Sequence, residues 1–314
     1  MLRVGLVGVG GISGAHIPAW EAMEDVELVA LCDIRSEQME KYKETKRCYM
    51  DIQDMLDNEQ LDILDICLPT YMHADVSITA MNRGIHVICE KPISLNEDDV
   101  KRVYATAASN NVCFMVAQVL RFWSEYDVIK KLYENGTYGK LLSGNMSRLG
   151  NFPRWSWDDW MKDECRSGLV SFDLHIHDLD FMVYAFGKPM QIIKNRCKRL
   201  DQDYISNIYK YNDFFITTEA AWYAADFPFH ASFRFQFEEA VVEWKDGKLI
   251  AYPLEGEPIE LMKQETTTEG VINLTDMGPY ANEIRYFTDC VLSSKKAEKI
   301  QPEELETVLQ LLCE

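Results

Sequence analysis

The sequence predicts a two-part α/β chain: a doubly wound, Rossmann-type parallel sheet, then an α+β domain with a largely antiparallel sheet. Three observations predict it. The first third alternates short apolar runs with amphipathic stretches, and a glycine-rich turn, "GVGGIS", joins the first strand-like run to the first helix-like one. After about residue 120 the rhythm changes to successive strand-like runs.

Each element of the first part has its own signal. "RVGLVGV" (3–9), "VELVALCD" (26–33), "LDILDICLP" (61–69), "HVICEKP" (86–92) and "VCFMVAQ" (112–118) read as strands. Their near-continuous hydrophobicity suits a parallel sheet covered on both faces. Helical spacing occupies 14–24, 36–45, 51–57, 73–83 and 96–110, and Asn96 before three acids reads as an N-cap. In the second part, a helix over 124–135 and a strand over 140–148 precede an aromatic loop, "NFPRWSWDDW". A helix over 168–186 follows, then strand-like runs from 190 to 252 with a hairpin signal at Asp246-Gly247. Helices over 280–293 and 302–313 close the chain. The expected division is 1–121 for the first domain and 122–314 for the second.

Bulk properties restrict the partners. The chain has 314 residues, enough for two cores, and a formal net charge of −19. That charge repels nucleic acid and anionic membrane surfaces. No apolar run is long enough to span a bilayer. Nine cysteines without a Cys-x-x-Cys pair fit reduced thiols, so a cytoplasmic protein is expected. The Asn-x-Ser/Thr triplets at Asn135, Asn145 and Asn273 then carry no weight.

Gly8, Gly10 and Ser13 follow the Gly-x-Gly-x-x-Gly pattern with Ser in the last place, between a strand and a helix. Gly8 permits the tight turn, and Gly10 lets a pyrophosphate approach the helix N-terminus, with Gly11 and Ile12 completing the turn around it. Asp33, at the end of the second strand, can accept the ribose hydroxyls and would repel a 2′-phosphate, so NAD is favoured. Arg35, two residues on, softens that preference and leaves NADP open. His16 either faces the cofactor or packs.

The helix "GLVSFDLHIHDLDFMVYAF" is apolar on nearly every side yet carries Asp173, His175, His177, Asp178 and Asp180. Asp173 and His177 are i and i+4, hence on one face. A carboxylate beside an imidazole fixes its tautomer, and such a histidine can exchange a hydroxyl proton. A satisfied core pair is the alternative. His175 lies about 200° around the helix from Asp173. Asp178 is its expected partner, in a buried pair joining the two domains. A substrate or cofactor contact is the other reading of His175, and no metal site is expected because no third ligand has suitable spacing.

"CEKP" (89–92) ends a parallel strand, where a lysine can hydrogen-bond a substrate hydroxyl or simply be a surface group. Together the Gly-x-Gly turn, Thr70 and His73 in "LPTYMH", Glu90-Lys91-Pro92, "QVLRF" beginning at Gln118, and the Asp173…His177 helix resemble Gfo/Idh/MocA oxidoreductases over essentially the whole chain. The resemblance implies a nicotinamide site in the first domain, bordered by Thr70, His73, Glu90, Lys91 and Gln118, and a cis Lys91–Pro92 bond. It implies a catalytic set of Lys91, Asp173 and His177. The substrate would be a carbohydrate or polyol, oxidised at a secondary alcohol. His175 departs from the pattern, which usually has a small residue there.

Arg154 and Trp155 are substrate candidates, since the tryptophans of the aromatic loop form either a platform for a sugar's apolar face or a packed corner. Thr70 has a helix-capping alternative. Two other functions fit the same motifs: redox-assisted glycoside cleavage by oxidation and elimination, and non-catalytic nicotinamide sensing. Phe233, Phe235 and Phe237 share one strand face, which helices or a second subunit must bury. The resemblance implies the latter, a homodimer or homotetramer through the C-terminal sheet.

Overall fold

The computed structural model describes residues 1–262 and 278–314; Asn273 lies outside them. By packing, the described residues divide into those within Met1–Phe122 and Thr267–Leu309, and those within Trp123–Thr266 and Gln310–Glu314.

The first unit is built on a six-stranded parallel sheet of order β3-β2-β1-β4-β5-β6. Its strands are β1 (Leu2–Val7), β2 (Val26–Cys32), β3 (Arg47–Tyr49), β4 (Ile63–Ile66), β5 (His86–Glu90) and β6 (Phe114–Ala117). Its first four helices are α1 (Ser13–Glu21), α2 (Ile52–Asn58), α3 (His73–Met81) and α4 (Glu97–Asn110). Val4, Leu6, Ile63, Leu64, Val87 and Ile88 are fully buried, although neighbours along a strand face opposite ways. Both faces of the sheet are therefore covered, as the unbroken apolar runs require. Asn96 caps α4, its side chain accepting the Asp98 N–H at 3.1 Å. The stretch expected to be helical over 36–45 is a 3-10 segment, Ser36–Tyr42.

The second unit holds α5 (Ser124–Asn135), β7 (Leu141–Asn151), α6 (Glu164–Ser167) and α7 (Ile176–Phe186). Its remaining strands are β8 (Gln191–Arg199), β9 (Gln202–Lys210), β10 (Phe215–Tyr223), β11 (His230–Phe237), β12 (Ala240–Lys245), β13 (Lys248–Pro253) and β14 (Ile259–Glu260). With β7 they form an eight-stranded sheet of order β14-β13-β12-β11-β7-β10-β9-β8. Every pair in it is antiparallel except β7 with β10. Asp246 and Gly247, both at positive φ, turn the chain between β12 and β13.

Phe233, Phe235 and Phe237 are buried within this unit, without a second subunit. Tyr126 of α5 meets Phe233 at 5.0 Å between ring centres, and Phe186 of α7 meets Phe235 at 5.7 Å. The opposite face of the sheet mixes polar pairs with exposed Phe215 and Tyr252: Asn145 donates to the Thr217 hydroxyl, and Ser147 and Tyr204 both donate to Glu219. The aromatic stripe therefore gives no reason to expect subunit packing.

The chain closes with α8 (Gly278–Leu292) and α9 (Pro302–Cys313). The domain division expected from sequence put both in the second part; α8 and the first turns of α9 instead pack with the first unit. Arg285 of α8 donates to Asp25 at 2.7 Å, Tyr280 lies 6.1 Å from the His16 ring, and buried Arg121 donates to the Lys299 carbonyl at 2.9 Å. Among the described residues, no helix is long and apolar enough to cross a membrane.

Candidate active site

In the first unit, the expected cofactor residues gather at the carboxyl edge of the parallel sheet. Gly8, at φ +92°, ends β1; a Cβ there would lie 2.5 Å from the Cys67 carbonyl oxygen, so only glycine fits. Gly10 is the converse, since a Cβ built there meets nothing within 4 Å among the described residues. The space above the turn is open, and α1 begins beyond Gly11 and Ile12 with no side chain capping its first N–H groups. That clearance at a helix N-terminus fits a pyrophosphate. Buried Ser13 closes the turn by donating to the Gly10 carbonyl at 2.7 Å.

Asp33, just past β2, has both oxygens oriented. Oδ2 accepts the Val9 N–H at 2.9 Å, and Oδ1 accepts the Arg35 N–H at 2.8 Å and its Nε–H at 3.3 Å. An acid so held at this edge suits ribose hydroxyls. Thr70, in the 3-10 turn Thr70–Met72 after β4, is buried and makes no side-chain cap on α3. His73 is buried between two carbonyl oxygens, that of Pro92 at 2.7 Å and that of Leu68 at 2.6 Å. Burial pushes its pKa down, and the two carbonyl acceptors oppose that shift. Gln118 follows β6 and is buried. Glu90 ends β5, and the Lys91–Pro92 peptide is cis.

His16 packs, but not as an apolar filler. It lies fully buried between two carboxylates, Nδ1 2.8 Å from Asp65 and Nε2 3.0 Å from Glu90. Burial opposes its charge, yet the Asp65 carboxylate and the neighbouring Cys67 outweigh that and hold its pKa well above the usual histidine range. The donor atoms of His16, Asp65 and Cys67 lie within 4.8 Å of one another, a spacing a metal could use. Here the Asp65 oxygen nearest His16 is already taken by hydrogen bonds, from His16 and from Trp20 Nε1 at 2.7 Å.

In the second unit, Asp173 sits in a π-helical turn, Ser171–His175, that leads into α7. Asp173 and His177 are half-buried, whereas His175, Asp178 and Asp180 are buried, so the exposed polar face is the one the i, i+4 spacing indicated. Leu169 and Val170, which begin this segment, share a core cluster with Phe152 at the base of the aromatic loop. That loop divides: Trp160 packs against the same cluster, while Trp155 is 66% exposed. Arg154 donates to the Ala224 carbonyl at 3.2 Å and lies 3.7 Å from Asp201. Lys91 belongs to the first unit, and Asp173, His177, Arg154 and Trp155 to the second.

The pair expected between His175 and Asp178 does not form. His175 bonds Tyr209 at 2.6 Å, and Asp178 bonds Arg148 at 2.9 Å; all four residues lie in the second unit, so neither contact joins domains. Three helix positions bring His175 and Asp178 close in sequence, but Tyr209 and Arg148 present better-placed partners from the sheet. Sequence reasoning missed Asp65 and Arg148 altogether. Both carried the signal that flagged the helix, a charged residue at an inward position among apolar neighbours.

Two family descriptions match: "Oxidoreductase family, NAD-binding Rossmann fold" over residues 2–118, and "GFO/IDH/MocA C-terminal domain" over residues 126–242. The chain is 28% identical over 193 residues to a myo-inositol 2-dehydrogenase of Thermotoga maritima, covering 60% of this chain and 56% of that one. It is 30% identical over 185 residues to a D-apiose dehydrogenase of Paraburkholderia graminis, covering 58% and 49%. The matched stretch thus spans about half the length of these relatives. A levoglucosan dehydrogenase solved with NADH and levoglucosan shares the fold, with a TM-score of 0.84, 18% identity, and coverage of 99% and 95%. With an NAD-binding turn whose geometry fits the cofactor and a match to both domain descriptions, the chain belongs to the Gfo/Idh/MocA family of oxidoreductases.

Proposed function

We propose that this chain is an NAD-dependent dehydrogenase acting on a secondary alcohol of a sugar, sugar derivative or cyclitol. The observation that carries the reading is the family match across both units, among relatives that are themselves named as sugar and cyclitol dehydrogenases. NAD supplies the hydride acceptor; the protein supplies proton transfer and positioning.

In this reading Lys91, Asp173 and His177 form the acid–base set. The Lys91 ammonium donates to the substrate hydroxyl oxygen and stabilises the charge that builds there as the alcohol becomes a ketone. His177 takes the hydroxyl proton and returns it in the reverse reaction. Asp173, one turn earlier, orients the imidazole and favours its protonated form. The half-exposed state of Asp173 and His177 beside buried Asp178 and Asp180 supports this division of roles. Arg154 and exposed Trp155 are the proposed substrate contacts, Trp155 offering a flat apolar surface to a sugar ring.

The test is a panel of cyclitols, sugars and glycosides with NAD and with NADP, following nicotinamide reduction and products together. Net reduction with a ketone product is expected. Release of an aglycone without net reduction would instead identify oxidation–elimination. Lys91→Ala and His177→Ala should retain cofactor binding and lose roughly 100-fold or more in turnover. Near-wild-type rates in either variant would overturn the assignment of that residue.

A further inference from the structure

We propose that His16 is a positioning residue for Lys91, acting through Glu90. The inference deepens the dehydrogenase reading and rests on it for the part Lys91 plays in turnover. The contacts themselves lie wholly within the first unit.

Four side chains make a directed chain. Trp20 and His16, one turn apart on α1, both donate to Oδ2 of Asp65, at 2.7 and 2.8 Å. Two donors on one oxygen fix the carboxylate, and the carboxylate fixes the imidazole plane. His16 Nε2 then faces Glu90 Oε1 at 3.0 Å. The other oxygen of Glu90 accepts the backbone N–H of Lys91 at 3.1 Å. Both Glu90 oxygens are committed, one to the histidine and one to the main chain of the lysine.

Burial makes this linkage costly to replace. His16 and Asp65 are fully buried and Glu90 nearly so, so water cannot take over a lost hydrogen bond without opening the core. Between two carboxylates, a ring that donates from both nitrogens is the arrangement that satisfies every contact. Apolar residues could fill the same volume, but they would leave the Glu90 carboxylate free to rotate and the Lys91 amide without its fixed acceptor. The charged chain therefore sets where the Lys91 main chain lies, and with it the origin of a long, flexible side chain.

Hydrogen exchange on the full-length protein, resolved to single amides, tests the linkage without any substrate. In His16→Gln the Lys91 amide should exchange roughly tenfold faster, while the ladder amides of Val87 and Ile88 keep their protection. Unchanged Lys91 protection would overturn the proposal, and so would an equal loss across all three amides, which marks general loosening. Should His16→Gln not fold, nitrogen NMR of the wild-type ring decides. Two protonated ring nitrogens are expected, since each faces a carboxylate oxygen, and one bare nitrogen would sink the chain of donors.

Turnover supplies the second arm, with the panel compound that reduces NAD fastest. His16→Gln should lower kcat roughly 10–100-fold with the NAD Kd nearly unchanged, and should add less than about twofold in a Lys91→Ala background. Equal losses in both backgrounds would show an effect that bypasses Lys91. If Lys91→Ala itself turns over normally, the catalytic reading of Lys91 falls, while the exchange result stands or falls separately.

Discussion

The Tyr209 hydroxyl and Nε2 of His175 share a hydrogen bond of 2.6 Å, and the two rings stack 5.7 Å apart. The Asn207 amide donates to the same Tyr209 oxygen at 3.3 Å. The other ring nitrogen of His175, Nδ1, is buried and finds no hydrogen-bond partner among the described residues. Burial depresses its pKa to about 3, and the nearby charges of Lys194 and Arg148 add to the effect.

This depression gives stability a pH dependence with a definite sign. Unfolded, the residue titrates near about 6.5, so between about pH 6.5 and 3 the unfolded chain holds a proton that the native one refuses. Stability is therefore lost as pH falls through that window. Relative to His175→Leu, the wild type should lose roughly 2–3 kcal/mol between about pH 7.5 and 4.5, measured by urea unfolding. A constant difference between the two proteins would contradict this account of His175.

Arg148 and Asp178 form a buried ion pair, with Tyr126 accepting from the same guanidinium nitrogen. Burial raises the Asp178 pKa, and Arg148 works against the rise. Arg148→Met should cost roughly 3–5 kcal/mol because it strands the acid, and adding Asp178→Leu should recover most of that. Equilibrium unfolding of the two single variants and the double variant provides the check. Equal losses in the single and double variants would mean that packing, not charge, dominates.

In the proposed reading, Asp33 sets the choice between NAD and NADP. Replacing it with Asn keeps the shape and the acceptor for the Val9 N–H but removes the charge that repels a 2′-phosphate. The ratio of NAD to NADP affinity should fall roughly 10–100-fold in Asp33→Asn. Fluorescence titration with both reduced cofactors measures it, and an unchanged ratio would move the discrimination elsewhere.

Much of the fold was legible because its signals are local. Unbroken apolar runs marked β1, β2, β4, β5 and β6, Asn96 marked the start of α4, and Asp246-Gly247 marked a hairpin. Arg47–Tyr49 escaped notice because a three-residue edge strand shows no periodicity. The cofactor turn was equally readable, since Gly8 and Gly10 act through their own backbone. The polar networks were not. His16 meets Asp65 and Glu90 across 49 and 74 residues, and His175 meets Tyr209 across 34, distances at which helical spacing carries no information.

The first unit is assembled from two segments separated by most of the second, and this bears on how the protein is made. A nascent chain that stops short of α8 has α1 and β1–β6 but lacks Arg285 beside Asp25 and Tyr280 beside His16. The dinucleotide half is therefore completed only after the main segment of the second unit, Trp123–Thr266, has been synthesised. Cutting the gene after residue 122 would yield a fragment with an uncovered apolar flank, prone to aggregation, rather than a free-standing cofactor module.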